Sequence, residues 1–175
     1  MITYEINTDF FKKCLRVVSK EATRYNISGI FIHDDAEGIR HYVGTNGHIL
    51  VHCKEKHEGP TLEKGIIIRP TAALGTRKCC RYVPMKVYDE QTAVIDLNKR
   101  ILCDIIDGTY PSYEKVIPTD VKPEYEYISF NPEYLLEMKR ILGSATVRPV
   151  SSSPTDPHIF RTTNEVEVVI MPMRI

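Results

Sequence analysis

The feature that most constrains this chain is a spacing. "EINTDFFKK" from Glu5, "IIRPTAALG" from Ile67 and "SFNPEYLLE" from Ser129 each set an apolar residue, a polar residue and a helix-start signal in the same order. Ile6, Ile68 and Phe130 stand 62 residues apart, and so do Thr8, Pro70 and Pro132. Self-similarity at a fixed period marks repeated supersecondary units that bury their apolar faces against one another. Three units are therefore expected, each of β-α-β-β type and each with one helix.

The residues fill that outline. "ITYEI" alternates as a strand does. Asn7 or Thr8 then caps a helix whose first turn holds Asp9. Phe11, Leu15, Val18 and Ala22 make an apolar stripe at helical spacing, which predicts a helix running past residue 20. "GIFIHD", "HYVGT" and "HILVHC" read as short strands between turn residues. The second unit reads as "GIIIRP", a helix from Thr71 weakened by Gly75, then "PMKVYD", "TAVIDL" and "ILCDII". The third reads as "YEYISF", a helix opened by Pro132, then "TVRPV", "HIFRTT" and "EVEVVIM".

Charge sits locally. The formal net charge is +0, so any polyanion site must come from placement. Lys12, Arg16 and Lys20 form one row on the first helix beside Lys13, with Arg24 just after it. The second helix carries Arg77 and Lys78, and the third Lys139 and Arg140 among the acids Glu133 and Glu137. One such face is an ordinary solvated surface. Cations on three repeated helices point to a shared surface that contacts phosphates without reading bases.

Catalytic signals are thin. No phosphate-cradling glycine loop, nucleophile elbow or paired carboxylates stand out. His48 and His52 share a strand face but lie roughly 13 Å apart along an extended chain, too far for one zinc ion. No metal and no cofactor are expected. "DGTYP" from Asp107 is a loop signal. The five cysteines show no paired spacing and read as reduced thiols. No run is apolar enough for a membrane span, so a cytoplasmic protein is expected.

"RYNISGIFI" (24–32), "VGTNGHILV" (43–51), "DGTYPSYEKVIP" (107–118) and the terminal "VVIMPMRI" carry a resemblance. They occur in the order seen in the bacterial DNA polymerase III beta subunit, the sliding clamp. The chain resembles that family over nearly its whole length. The resemblance implies an α+β DNA-clamp fold of repeated half-domain units, with helices lining a ring and sheets outside. It implies a processivity factor that encircles double-stranded DNA and tethers DNA polymerase and clamp-loader type proteins through short linear motifs, with no catalysis of its own. It also implies a nucleoid location.

By motif, the implied partner groove takes Ile27, Thr45, Gly47, His48 and Leu50 from the first unit, and Pro111, Lys115 and Val116 from the loop. From the third unit it takes Asn131, Tyr134, Val169, Ile170, Met171, Pro172, Met173 and Arg174. Arg24 and Tyr25 match a family loop that touches DNA. Ile49 and Lys115 stand where the family commonly has arginine, so groove polarity differs. Flexible, polarizable methionines suit a surface that accepts several partners.

The size departs from the family, whose chains have three full domains and close as dimers of twelve helices. Here residues 1–120 make one full domain of two half-units, about 1–62 and 63–124. Residues 121–175 add a half-domain with the partner-binding tail. Twelve helices then need four chains, a homotetramer. Helices about 10 Å apart, twelve in a ring, leave a bore of about 28 Å; nine leave about 19 Å, and six about 9 Å. Only twelve admit a duplex roughly 20 Å across, whose major groove alone is about 12 Å wide. A rival reading is a clamp mimic that keeps the groove, closes no ring and sequesters clamp-binding proteins. A small enzyme is a weaker rival.

Overall fold

The computed structural model of the chain describes residues 1–21, 23–72, 80–97, 99–118, 128–143, 147–151, 153–161 and 165–173. The first unit is β1 (Ile2–Asn7), α1 (Thr8–Leu15), β2 (Ile30–Asp34), β3 (Ile39–Thr45) and β4 (Ile49–Lys56). The second contributes β5 (Ile66–Pro70), β6 (Tyr82–Val87), β7 (Thr92–Leu97) and β8 (Lys99–Ile106). The third contributes α2 (Pro132–Leu142), β9 (Arg148–Val150), β10 (His158–Arg161) and β11 (Val166–Ile170). The expected second helix falls mostly on residues 73–79, outside the described residues; of the expected strand "YEYISF", residues 125–127 also lie outside them, and Ile128, Ser129 and Phe130 are described but form no strand.

The described strands form one antiparallel sheet in the order β1-β6-β7-β8-β5-β2-β3-β4-β11-β10-β9. The first two units exchange strands: β1 pairs with β6, and β5 pairs with β2. The last strand, β11, lies on β4 of the first unit, with Ile170 opposite Ile49 and Val166 opposite Cys53. The chain's final strand is thus brought against its first unit.

Both helices pack on one face, α1 over β3 and β4 and α2 over β11. Phe10, Phe11, Cys14 and Val17 bury there against Ile6, Tyr42 and Val51. Each buried side chain of the Phe or Ile class contributes about 1.5–3 kcal/mol. A second, smaller core of Val43, Leu50, Ile67, Ile159 and Val169 lies on the opposite face, roofed by Tyr110 and Tyr113. Gly44 permits the close approach of α1: a Cβ there would come within 2.3 Å of the Cys14 carbonyl oxygen.

The first helix is shorter than its apolar spacing predicts. It is capped by the Asn7 side chain, which accepts from Asp9 N (3.1 Å) and Phe10 N (3.3 Å), and it stops at Leu15. Arg16 N and Val17 N bond back three residues, to Lys13 O and Cys14 O, which tightens the last turn. Ser19 N then bonds Ile27 O and Thr45 O, and this draws the chain off the helix axis. Leu15 and Val18 are accordingly only partly buried, and Ala22 lies outside the described residues. The row Lys12, Arg16, Lys20 is therefore corrected: Lys12 is helical, Arg16 is the C-cap, and Lys20 lies beyond the helix.

A buried ion pair fastens the first unit. Arg40 Nε and Nη2 donate to Asp34 Oδ1 and Oδ2 (2.8 and 2.9 Å), and its remaining bonds reach Glu5 O and Pro60 O. Burial alone would raise the Asp34 carboxyl, but Arg40 and the Leu62 N–H outweigh it and hold it below the usual range. This joins β1, β2, β3 and the connection into the second unit. Removing one partner of such a pair costs about 3–5 kcal/mol.

Candidate functional site

On the face away from the helices lies an apolar groove of about 170 Å³. Its first wall is the β3–β4 turn with Thr45, Gly47, His48, Ile49 and Leu50. The turn is built from its own side chains. Thr45 Oγ1 donates to Ile49 O (2.8 Å) and accepts from Gly47 N (3.0 Å), while Asn46 Oδ1 accepts from His48 N (2.9 Å) and Ile49 N (3.1 Å). Gly47 takes φ +91°, the left-handed region that favours glycine. A Cβ there would also stand 2.6 Å from Arg24 Nη1.

The second wall is the loop after β8, with Tyr110, Pro111, Ser112, Tyr113 and Val116. Two aromatic rings pin it to the sheet. Tyr110 stacks on Phe31 at 4.9 Å and 10°, and the Tyr113 hydroxyl sits 2.9 Å from His33 Nε2. The Tyr110 hydroxyl is buried and has no hydrogen-bond partner among the described residues, an arrangement that costs free energy until a ligand or water supplies one. The third wall is the last strand and tail, with Val169 and Met171. Met171 N donates to His48 O (3.1 Å) and Met173 N to Ser129 O (2.7 Å), so the tail is held between the first and third units.

Beside Tyr113 runs a stack of imidazoles on three neighbouring strands. His33 and His41 are parallel at 4.7 Å, and His41 and His52 at 5.1 Å. His41 Nε2 lies 3.0 Å from Asp35 Oδ2, and His52 Nδ1 lies 3.2 Å from Glu167 Oε2. Burial, then neighbouring His41, pushes His33 below the ordinary imidazole range; burial, outweighing Asp35, does the same to His41. The Ile39 N–H and then His41 hold Asp35 down at about 2. His52 keeps Glu167 low. Burial raises the Tyr110 and Tyr113 phenols, so both stay protonated. No cluster fit to hold a metal occurs among the described residues.

Of the groove residues expected from sequence, Ile27, Thr45, Gly47, His48, Leu50, Pro111, Val116, Val169 and Met171 come together on this cavity. Six of the others are described and do not line it. Ile170 is corrected to the helix-side core, fully buried, because neighbours in a strand face opposite ways and Val169 takes the groove side. Asn131 caps α2, accepting from Glu133 N at 2.9 Å. Tyr134 stacks on His48 at 6.2 Å, which extends the groove toward α2. Lys115 is exposed on the loop, Pro172 is half-buried, and Met173 is exposed. Arg174 lies outside the described residues. Ile49, expected to alter groove polarity, does line the cavity, and Tyr110, Ser112 and Tyr113 line it without having been expected to. The "YPSY" spacing offered the tyrosines as a signal, since aromatics in a polar loop need a surface to rest on.

The cations of the helical face are largely engaged. Lys13 pairs with Asp9 (2.9 Å), and Arg16 pairs with Glu137 of α2, which also holds Arg140 (3.0 Å). Arg24 pairs with Glu21 (3.0 Å) and donates to the Asn46 carbonyl (2.5 Å), so it braces the groove turn. Tyr25 is exposed with the Arg69 guanidinium 5.7 Å from its ring. Lys12 is half-buried; Lys20 and Lys139 are exposed. Arg77 and Lys78 lie outside the described residues.

No protein-family model matches the chain, and no curated protein matches it. Solved structures do. The DNA polymerase III beta subunit of Thermotoga maritima superposes with a TM-score of 0.76 at 14% identity, over 100% of this chain and 66% of that one. Caulobacter crescentus pol III beta gives 0.79 at 20% identity, over 100% and 67%. The Helicobacter pylori beta clamp bound to a DNA ligase peptide gives 0.77 at 15%, over 99% and 66%. The chain thus has the sliding-clamp fold and spans about two thirds of the length of these clamps. No helix among the described residues is long and apolar enough to cross a membrane.

Proposed function

We propose that this chain is a sliding clamp, a processivity factor that encircles duplex DNA as a homotetrameric ring and tethers replication proteins by short linear motifs. The observation that carries the reading is the position of the groove. It opens on the sheet face opposite α1 and α2, so a partner seated there leaves the helical face free for phosphates. Its apolar walls suit a partner's aliphatic or aromatic side chain. The Helicobacter pylori clamp carries a peptide, and a short peptide is the occupant proposed here. Lys12, Lys13, Arg16, Lys20, Arg24, Tyr25, Lys139 and Arg140, with Arg77 and Lys78, are the DNA-contacting residues of this reading. The clamp performs no catalysis, needs no cofactor and works on the nucleoid in the cytoplasm.

Two changes test the two faces. Deleting Met171 to Ile175 is expected to abolish binding of peptides taken from replicative polymerases while leaving retention on circular DNA intact. Unchanged peptide affinity sinks the groove. Changing Lys12, Arg16 and Lys20 together to glutamate is expected to abolish polymerase processivity, and survival of processivity sinks the helical face.

A second reading is a clamp mimic that binds clamp partners without encircling DNA. It draws on the self-pairing of the helical face, where Lys13, Arg16 and Arg140 already have carboxylate partners. A decoy stays monomeric and inhibits a host polymerase; a clamp assembles and stimulates it.

A further inference from the structure

The first two units close each other reciprocally. The first strand of each, β1 or β5, lies on the second strand of the other, β6 or β2. The third unit has the same plan: Asn131 caps α2 as Asn7 caps α1, two periods earlier. Yet its second strand, β9, is the end of the sheet and pairs only with β10 among the described residues. Its helix is also less covered. Phe11 of α1 is 1% exposed, whereas Leu135, at the equivalent place in α2, is only partly buried. Where α1 carries Lys12, α2 carries Leu136, and that leucine is 49% exposed.

We propose that the open side of the third unit, the β9 edge with the Leu136 face of α2, is covered by the same surface of a second copy of this chain about a two-fold axis. The first two units show that the second strand of a unit is closed by another unit of the same plan. Reciprocal closure is what a two-fold, isologous contact provides, with one patch serving both sides. A proline on an edge strand often blocks pairing, and β9 carries Pro149. But β6 carries Pro84 opposite Glu5, and β1 pairs along it all the same. An apolar residue in place of a lysine fits burial against a partner better than solvent. The inference rests on the ring reading for the number four alone. Third-unit pairing by itself gives two chains, and a ring of four needs a second junction. The β8 stretch from Lys99 offers one: β8 pairs with β5 only from Cys103 onward, whereas the matching start of β4 receives β11.

The full chain and two variants, Leu136→Lys and Leu136→Glu, decide it by sedimentation at micromolar concentration. Lysine is already accommodated at this place in α1, so the first variant keeps a foldable helix. Each variant alone is expected at half the wild-type mass, because like charges then face across the axis. An equimolar mixture of the two is expected to regain the wild-type mass, a rescue that misfolded chains could not give. Four chains falling to two supports both the pairing and the ring. Two falling to one supports the pairing and removes the ring. Wild-type mass in both variants, failure of the mixture to recover, or a single-chain wild type overturns the pairing.

Discussion

Across one sheet, the groove meets solvent with fixed apolar walls, while the helical face meets it with charges that largely pair with one another. The groove's turn and loop are fastened by part-buried hydrogen bonds and stacked rings, through Asn46, Tyr110 and Tyr113, and its tail by the backbone bonds of Met171 and Met173. The ion pairs of the helical face lie at exposed side chains, Asp9 at 66% and Arg140 at 53%. On the reading proposed above, the difference follows from what each face would do. A peptide site needs one shape held in place. A surface that slides on phosphates needs many weak contacts, and exposed pairs worth about 0–1 kcal/mol exchange readily for phosphate.

The most severe way to break both faces at once is Gly44→Ala. Its Cβ would strike the Cys14 carbonyl, so α1 must lift from β3. A loss of about 2–4 kcal/mol is expected, read as a drop of roughly 10 °C in the melting midpoint. Peptide binding and DNA retention should fall together. A change that spares stability would mean that α1 is not held as tightly as this.

Acid should loosen the imidazole stack beside the groove wall. His33 and His41 bind protons less readily in the folded chain than in the unfolded one. Stability is therefore fully present above about pH 6.5 and declines as pH falls through that value. Asp35, held at about 2, and Glu167, also held low, add a second decline below about pH 4. Melting midpoints from pH 8 to pH 3 are expected to show both steps. His33→Gln should flatten the upper step and leave the lower one, and an undiminished upper step would place the titration elsewhere.

The smallest effect is expected on the helical face. Arg16→Gln leaves Glu137 to Arg140 alone, and stability should move by less than about 1 kcal/mol. Retention on DNA should weaken a few-fold, with the salt dependence shallower by about one phosphate contact. An unchanged salt dependence would show that Arg16 serves only Glu137.

The strands and the two described helix starts were legible because their signals are local. An asparagine cap, a proline at the first turn and alternating strands can be read within ten residues, and strands β2 to β8 fall where their patterns put them. The length of α1 was not legible, because Ser19 ends it through bonds to Ile27 and Thr45 that no local pattern announces. In the groove, nine of the sixteen expected residues meet on one cavity. Tyr110 and Tyr113 were missed because their anchors, Phe31 and His33, lie some eighty residues earlier in the chain. Ile170 misled for a different reason. β11 is buried on both faces, so its run of apolar residues carries no alternation to say which side is which.

The pairing of β11 with β4 also sets how the molecule answers force. The tail leaves β11 at Ile170 and runs directly to the groove. On the clamp reading proposed above, a partner seated in the groove and hauled along by a moving enzyme would pull on that tail, and where the pull follows the strand it would strain the five register pairs from Val166–Cys53 to Ile170–Ile49. Those hydrogen bonds lie perpendicular to the strands. Tension along β11 therefore shears them as a set instead of peeling them one by one, and the attachment point resists drag with its whole length.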